Sequence, residues 1–366
     1  MRKAVLPAIL MLLTAWTSAA QLRLTVPEAS PLGKTDTVSV LIGGDVMLHA
    51  RQLDYGFSGF FRDVGELMRS ADFTAVNMEF SLGGPPYSGY PAFSAPDSIA
   101  CILASGCGAD VFLTANNHIL DRGAAGLGRT LEVYSALRDS LGTEYTGCAA
   151  DSLDAARTNP LMLFSKGVRI ALINFTYGTN LGKGPGWPAV NYMRRDEIAE
   201  AIARADSLGA DFIVALPHWG TEYSLLHDDS QQEWAEWLVA GGVDAVVGSH
   251  PHVVQDTTSI DGRPVIYSTG NLVSNMSARN TRLGLMVRLN FIHDFATGEK
   301  RLAEPELVFT WCCLPGTLDE GYRVITVKER AGRRGDWLTP SDFDNMVATL
   351  KRVTAETGIR YSAAGL

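Results

Sequence analysis

From Thr37 onward, short runs of β-branched and aliphatic residues alternate with amphipathic segments. Residues 38–42 form an apolar run that predicts a strand ending in Gly43-Gly44-Asp45. Residues 60–70 have helical spacing, and 73–76 read as a second strand running into Asn77-Met78-Glu79. A short helix over 98–104 precedes a strand at 110–114, which ends in Asn116-Asn117-His118. Residues 126–141 carry the apolar period of a helix stopped by Gly142. The alternation continues with a strand at 168–175, a helix at 196–208 and a strand at 211–216 that ends in Pro217-His218. A helix at 231–239 then precedes a strand at 244–247, which runs into Gly248-Ser249-His250. After Pro264 the pattern changes to strands without helices, at 265–268, 283–291, 307–311 and 322–327. Antiparallel pairs finishing a sheet would account for them. An amphipathic helix over 341–356 closes the chain, with Thr339 or Ser341 available to cap it. Strands and helices of these lengths predict a layered α/β core, a mainly β C-terminal extension and a final helix.

Composition adds a location. The chain has 366 residues, 46% hydrophobic and 19% charged, with no repeat or low-complexity tract. Arg2 and Lys3 precede an apolar run over 4–16, and Ser18-Ala19-Ala20 supplies the small residues of a cleavage site. The expectation is a signal peptide over 1–20, cleaved after Ala20, and a protein secreted across the inner membrane to the periplasm or cell surface. A retained anchor is the rival reading, but the run is short of the roughly 20 apolar residues a spanning helix needs. No later segment is long and apolar enough to span. Losing Arg2 and Lys3 takes the net charge from -9 to -11, which argues against nucleic acid or an anionic lipid surface as a partner held by bulk charge. The five cysteines have no C-x-x-C spacing, so buried, inert thiols are the default even where export permits a disulfide.

The candidate chemistry is positional. Asp45, Glu79, Asn117 and His218, then His250 with His252, recur at the carboxyl ends of five predicted strands, the edge where open α/β sheets bind ligands. Each has a bland reading. Asp45 and Asn117 suit turns, Glu79 suits solvent, and a lone histidine beside an apolar strand is more often a core residue. His250-Pro251-His252 shifts the balance, because two imidazoles flanking a proline can reach different metals. Carboxylates, an amide and three imidazoles without thiolates favour a hydrolytic shell for one or two divalent ions (Mn, Fe or Zn) over a structural zinc site. His118 beside Asn117 could act as general acid, with Asp121 three residues on holding its tautomer. Arg122, Lys183, Arg194 and Arg195 could position an anionic substrate, although each alone is more simply a solvated charge. Trp187, Tyr177 and Tyr192 could form a wall for a polymer, although loop packing is the simpler reading. His227 and His293 carry no motif.

These blocks resemble the CapA family of bacterial capsule or poly-γ-glutamate synthesis proteins, within the calcineurin-like metallophosphoesterase superfamily. The matching residues are Gly44-Asp45-Val46-Met47-Leu48, Asn77-Met78-Glu79, the stretch from Asn116 to Asp121 with Gly123 and Gly126, and His218-Trp219-Gly220-Thr221-Glu222. Gly248 to Gln255 and Tyr267-Ser268-Thr269-Gly270-Asn271-Leu272-Val273 complete the set, over about residues 38–275. The resemblance implies a four-layer α/β/β/α sandwich of the metallo-dependent phosphatase type. It implies one such domain over 37–290, completed by a β-hairpin and helix over 291–366. Carried over, Asp45 and His252 would bind a first metal, Glu79 would bridge, Asn117, His218 and His250 would bind a second, and His118 would be the acid. Met47 stands where the superfamily has a ligand histidine, which leaves the first metal with fewer protein ligands unless His49 turns in. The implied activity is hydrolysis of a phosphoester or polymer bond by metal-activated water. The implied partners are an anionic polymer or phosphoester and the membrane proteins of capsule synthesis. The alternative is a non-catalytic, polymer-binding role in capsule export.

Overall fold

Alternating apolar runs draw the chain into two stacked sheets, seen in a computed structural model that describes residues 35–361 apart from Lys183 and Pro185. The expected signal segment, 1–20, lies outside the described residues. In chain order the strands are β1 (Thr35–Val46), β2 (Phe73–Met78), β3 (Val111–Leu113), β4 (Glu144–Thr146), β5 (Cys148–Ala149) and β6 (Leu161–Ser165). Next come β7 (Val168–Thr176), β8 (Ala189–Val190), β9 (Phe212–His218), β10 (Ala245–Val247), β11 (Thr257–Ile260) and β12 (Arg263–Ile266). The last are β13 (Asn271–Val273), β14 (Leu283–Asp294), β15 (Lys300–Leu302), β16 (Glu306–Cys313) and β17 (Arg323–Thr326). The longer helices are α1 (Gly123–Leu141), α2 (Ser152–Thr158), α3 (Arg195–Ser207), α4 (Asp229–Ala240) and α5 (Pro340–Thr357).

One sheet runs β17-β16-β14-β1-β2-β3-β4, with β13 beside β1 and β15 on β14; the other runs β11-β12-β10-β9-β7-β6. Period-2 alternation assigns each strand's faces. Val38, Val40 and Ile42 of β1 meet Ile170, Leu172, Val214 and Leu216 of the second sheet, whereas Leu41 and Val46 face outward with Leu127, Leu131 and Tyr134 of α1. On the far side, Ile198 and Ile202 of α3 and Leu238 of α4 cover Ile173, Ile213 and Val246. The fold is therefore a four-layer α/β/β/α sandwich. Adjacent Cys312 and Cys313 fall on opposite faces of β16 for the same reason. All five cysteines are free, and burial pushes the Cys107 thiol up to about 11.

Several elements differ from the sequence reading. Strand β12 runs parallel to β10 in the second sheet, so it does not belong with the terminal antiparallel strands β14, β16 and β17, which extend the first. Within 60–70 only Gly65–Arg69 is helical, because Phe60 and Phe61 are drawn into the core and the Phe60 carbonyl accepts from Val324 N–H. Neither Thr339 nor Ser341 caps α5 by a side chain. Pro340 opens the helix, and the Thr339 hydroxyl donates to the Gly316 carbonyl at 2.8 Å. Helix α5 packs Phe343, Met346, Leu350 and Val353 into the inner core with Leu285, Phe309 and Trp311. Arg282, at the start of β14, grips Asp342 at 2.6 and 2.7 Å while lying over the Trp311 ring. Among the described residues no helix is long and apolar enough to cross a membrane.

Candidate metal centre

The parallel strands of both sheets deliver their carboxyl ends to one edge. Asp45 is paired in register with Asn77 of β2 and Asn271 of β13. Strand β1 thus continues through Asp45, rather than ending before it in a turn. This requires Gly44: a Cβ there would stand 1.9 Å from the Gly270 carbonyl oxygen. Gly248 plays the same part in the second sheet, where a Cβ would lie 2.2 Å from the Tyr267 carbonyl oxygen. His218 is the last residue of β9. His250 and His252 have φ of 101° and 59°, a left-handed backbone rare for non-glycine residues and found mainly where the surrounding structure imposes it.

All eight predicted site residues form one connected, buried network. Asn77 donates through Nδ2 to Asp45 Oδ1 at 2.7 Å, with Glu79 Oε2 at 3.5 Å, so residues i and i+2 of β2 share a face. His218 Nε2 lies 2.9 Å from Asn117 Oδ1 and 3.7 Å from Glu79 Oε1, while its Nδ1 lies 3.0 Å from Ser249 Oγ. His252 Nδ1 lies 3.1 Å from Asn271 Oδ1, an acceptor that places the proton on Nδ1 and frees Nε2, which lies 3.9 Å from Glu79 Oε1. The His250 amide is 3.4 Å from Asp45 Oδ2. The seventh member is His118. It joins through Asn116, which donates to Asn77 Oδ1 at 3.3 Å and whose Oδ1 accepts from His118 N–H at 3.1 Å. Its Nδ1 sits 2.6 Å from Oδ2 of the eighth residue, Asp121, and that same oxygen accepts from Phe93 N–H at 2.7 Å.

Three groups place their donor atoms within 4.8 Å of one another: Asp45, Glu79 and His252; Glu79, His218 and His250; and Glu222, His250 and His252. Burial first, and the Asp45 carboxylate next, hold Glu79 well above the usual carboxylate range. Burial and then His250 depress His218, while burial and then His252 take His250 to about 3. Glu79 Oε1 and His250 Nδ1 are buried with no hydrogen-bond partner. Buried polar atoms rarely stay unpaired, so these oxygen and imidazole donors fit a divalent ion.

Other predicted residues lie elsewhere. Arg194 and Arg195 pair with Glu197 and Glu233 on the outer helical layer, Arg195 lying over Trp234 and Trp237. Arg122 donates to the Pro86 carbonyl at 2.6 Å, and Lys183 is outside the described residues. His49 does not turn in: its Nδ1 accepts from Asn275 N–H at 3.3 Å. The Tyr177 ring lies tilted against His250, at 4.7 Å between centroids, and Trp187 is half exposed, but Tyr192 packs against the core under Arg194. His227 stacks on Tyr267 and bonds Asp256. The sequence reading missed Asn77, Ser249 and Asn271, which orient the candidate ligands, and Glu222. All four stand inside the quoted motifs, and that was the available signal.

Residues 39–276 match the profile of the bacterial capsule synthesis protein PGA_cap. The chain belongs to this family. Every candidate residue of the PGA_cap site, from Asp45 to Asn271, falls within the matched span. The capsule biosynthesis protein CapA of Bacillus anthracis is 26% identical over 299 residues, covering 78% of this chain and 71% of that protein. The PGA biosynthesis protein CapA of Bacillus subtilis is 30% identical over 181 residues, 49% of this chain and 46% of that protein. Among solved structures, a phosphatase from Mycoplasma pneumoniae superposes with a TM-score of 0.47 at 14% identity, covering 75% of this chain and 94% of that one.

Proposed function

We propose that this PGA_cap protein is an exported metal-dependent hydrolase acting on a phosphoester or on a bond of an anionic polymer in capsule or poly-γ-glutamate synthesis. The observation that carries the reading is Glu79 Oε1: fully buried, unpartnered, and 3.7 and 3.9 Å from the Nε2 atoms of His218 and His252. Glu79, with Asp45, Asn117, His218, His250 and His252, would hold one or two divalent ions. When bound, such ions would supply Lewis-acid activation of water and of the substrate's oxygen. Asn77 fixes the Asp45 and Glu79 carboxylates, Ser249 and Asn271 set the imidazole orientations, and the Asp121 carboxylate keeps the His118 proton on Nδ1. His118 then presents Nε2 to a leaving group once protonated.

A second reading has its own observation. Tyr90, Tyr177, Trp187 and Tyr223 are exposed, Tyr177 beside His250 and Tyr223 with its ring 6.1 Å from His252. Exposed rings such as Tyr177 and Tyr223 beside the candidate ligands suit a polymer held without turnover during export. Metal analysis of the purified protein, with assays on phosphomonoester, phosphodiester and γ-glutamyl substrates in added manganese or zinc, separates the two. Turnover lost in E79A supports the hydrolase. A metal-loaded but inert wild type whose biological role survives H118A rejects it.

A further inference from the structure

The geometry points to Glu222 as a metal ligand that enters the centre from the solvent side. This inference rests on the metal-centre reading above and adds a residue to it. Beyond β9 the chain turns at Gly220, φ +89°, where a Cβ would stand 2.6 Å from the Gln231 side chain. Two backbone bonds then tie this turn to the histidine-bearing one: Trp219 N–H to the Ser249 carbonyl at 3.0 Å, and Tyr223 N–H to the Pro251 carbonyl at 2.8 Å. Glu222 is thereby fixed next to His250 and His252, with donor atoms of all three within 4.8 Å.

The same two imidazoles also belong to the inner groups built on Glu79. Two carboxylates therefore flank one imidazole pair, Glu79 buried on the inside and Glu222 exposed on the outside. The inner set around His252 is short of donors. Asp45, Glu79 and His252 make three, Met47 at i+2 from Asp45 offers only a buried thioether, and His49 is engaged elsewhere. Zinc takes four ligands, and harder ions take more. Independently, His250 Nδ1 is a deeply buried nitrogen with no partner, so the group that Glu222 joins still has a ligating atom to satisfy. A carboxylate from the open side gives the His250–His252 pair a third donor, and its exposure lets it yield the position to a substrate oxygen.

The test is metal titration of the chelator-stripped full chain with Mn²⁺ or Zn²⁺, by calorimetry and by elemental analysis after gel filtration. Variants are E222A, E222Q, E79A and the distant exposed control E299A, each checked for unchanged circular dichroism. The expected result is that E222A and E222Q weaken one ion by at least about tenfold, the scale of losing a partner in a metal shell, or drop it from the stoichiometry, while E299A matches wild type. If both Glu222 variants bind ions as tightly as wild type while E79A loses them, the Glu222 assignment is overturned and the centre stands. A wild type that binds no ion overturns both.

Discussion

At the scale of single residues, position in the buried network decides what each change should do. His118 touches none of the candidate ions' carboxylates, so H118A should lower hydrolytic turnover by about 10²- to 10⁴-fold while leaving metal content unchanged. D121N should produce a smaller loss of the same kind, because the amide still holds the ring but without charge; turnover and elemental analysis on the same preparations check both. His49 has a different role. Burial, reinforced by His252 and His118, lowers it to about 4. A base depressed on folding stabilises the fold above its unfolded pKa near 6.5 and loses that contribution as pH falls toward 4. H49Q should therefore flatten the fall in unfolding free energy between pH 7 and pH 4, measured by urea titration, by on the order of 2 kcal/mol. These roles were unequally legible in the sequence. Asp45, Glu79, Asn117 and the three histidines stand at or just beyond the carboxyl ends of strands and could be read from apolar runs. Glu222 sits in an exposed turn whose position depends on bonds to Ser249 and Pro251, which no local pattern encodes.

At the scale of elements, the clearest expectation concerns α5. Its contact with the sheet rests on apolar packing plus one well-shielded pair, Arg282 with Asp342, the guanidinium lying over the Trp311 ring. Removing one partner of such a pair leaves a charge without compensation. D342N should cost about 3 kcal/mol in urea or thermal unfolding, and R282A combined with D342N should cost less than the sum of the two. Elements with a strong local period were read well: α1, stopped by left-handed Gly142, and β7, β9 and β10. Those decided by distant contacts were not. Strand β1 extends to Val46 because Gly44 admits the Gly270 carbonyl, and the aromatic cluster around Phe60 overrides helical spacing there. Strand β12 reads as one of a terminal series, yet its partner is β10.

At the scale of the whole molecule, the candidate centre lies between the sheets. The first sheet and the loops beyond its strands supply Asp45, Glu79 and Asn117; the second and its loops supply His218, His250 and His252. An ion held there would join the two halves of the sandwich. Adding Mn²⁺ or Zn²⁺ to stripped protein should raise apparent stability by about 2.7 kcal/mol at a hundredfold excess over Kd, with the gain absent in E79A; melting curves at graded metal concentration check this. The opposite edge is built differently. There Lys166 bonds Asp72 at 2.7 Å and Asp72 accepts from Ser39, beside a polar cleft of about 810 Å³. At the site edge, by contrast, the backbone itself crosses over: leaving β12, it passes Thr269 and Gly270 and enters the first sheet as β13. The sandwich is thus sewn along one seam and merely buttoned along the other. Partial unfolding should then have a direction, with the halves parting first at the cleft and the seam that carries the candidate ligands holding longest.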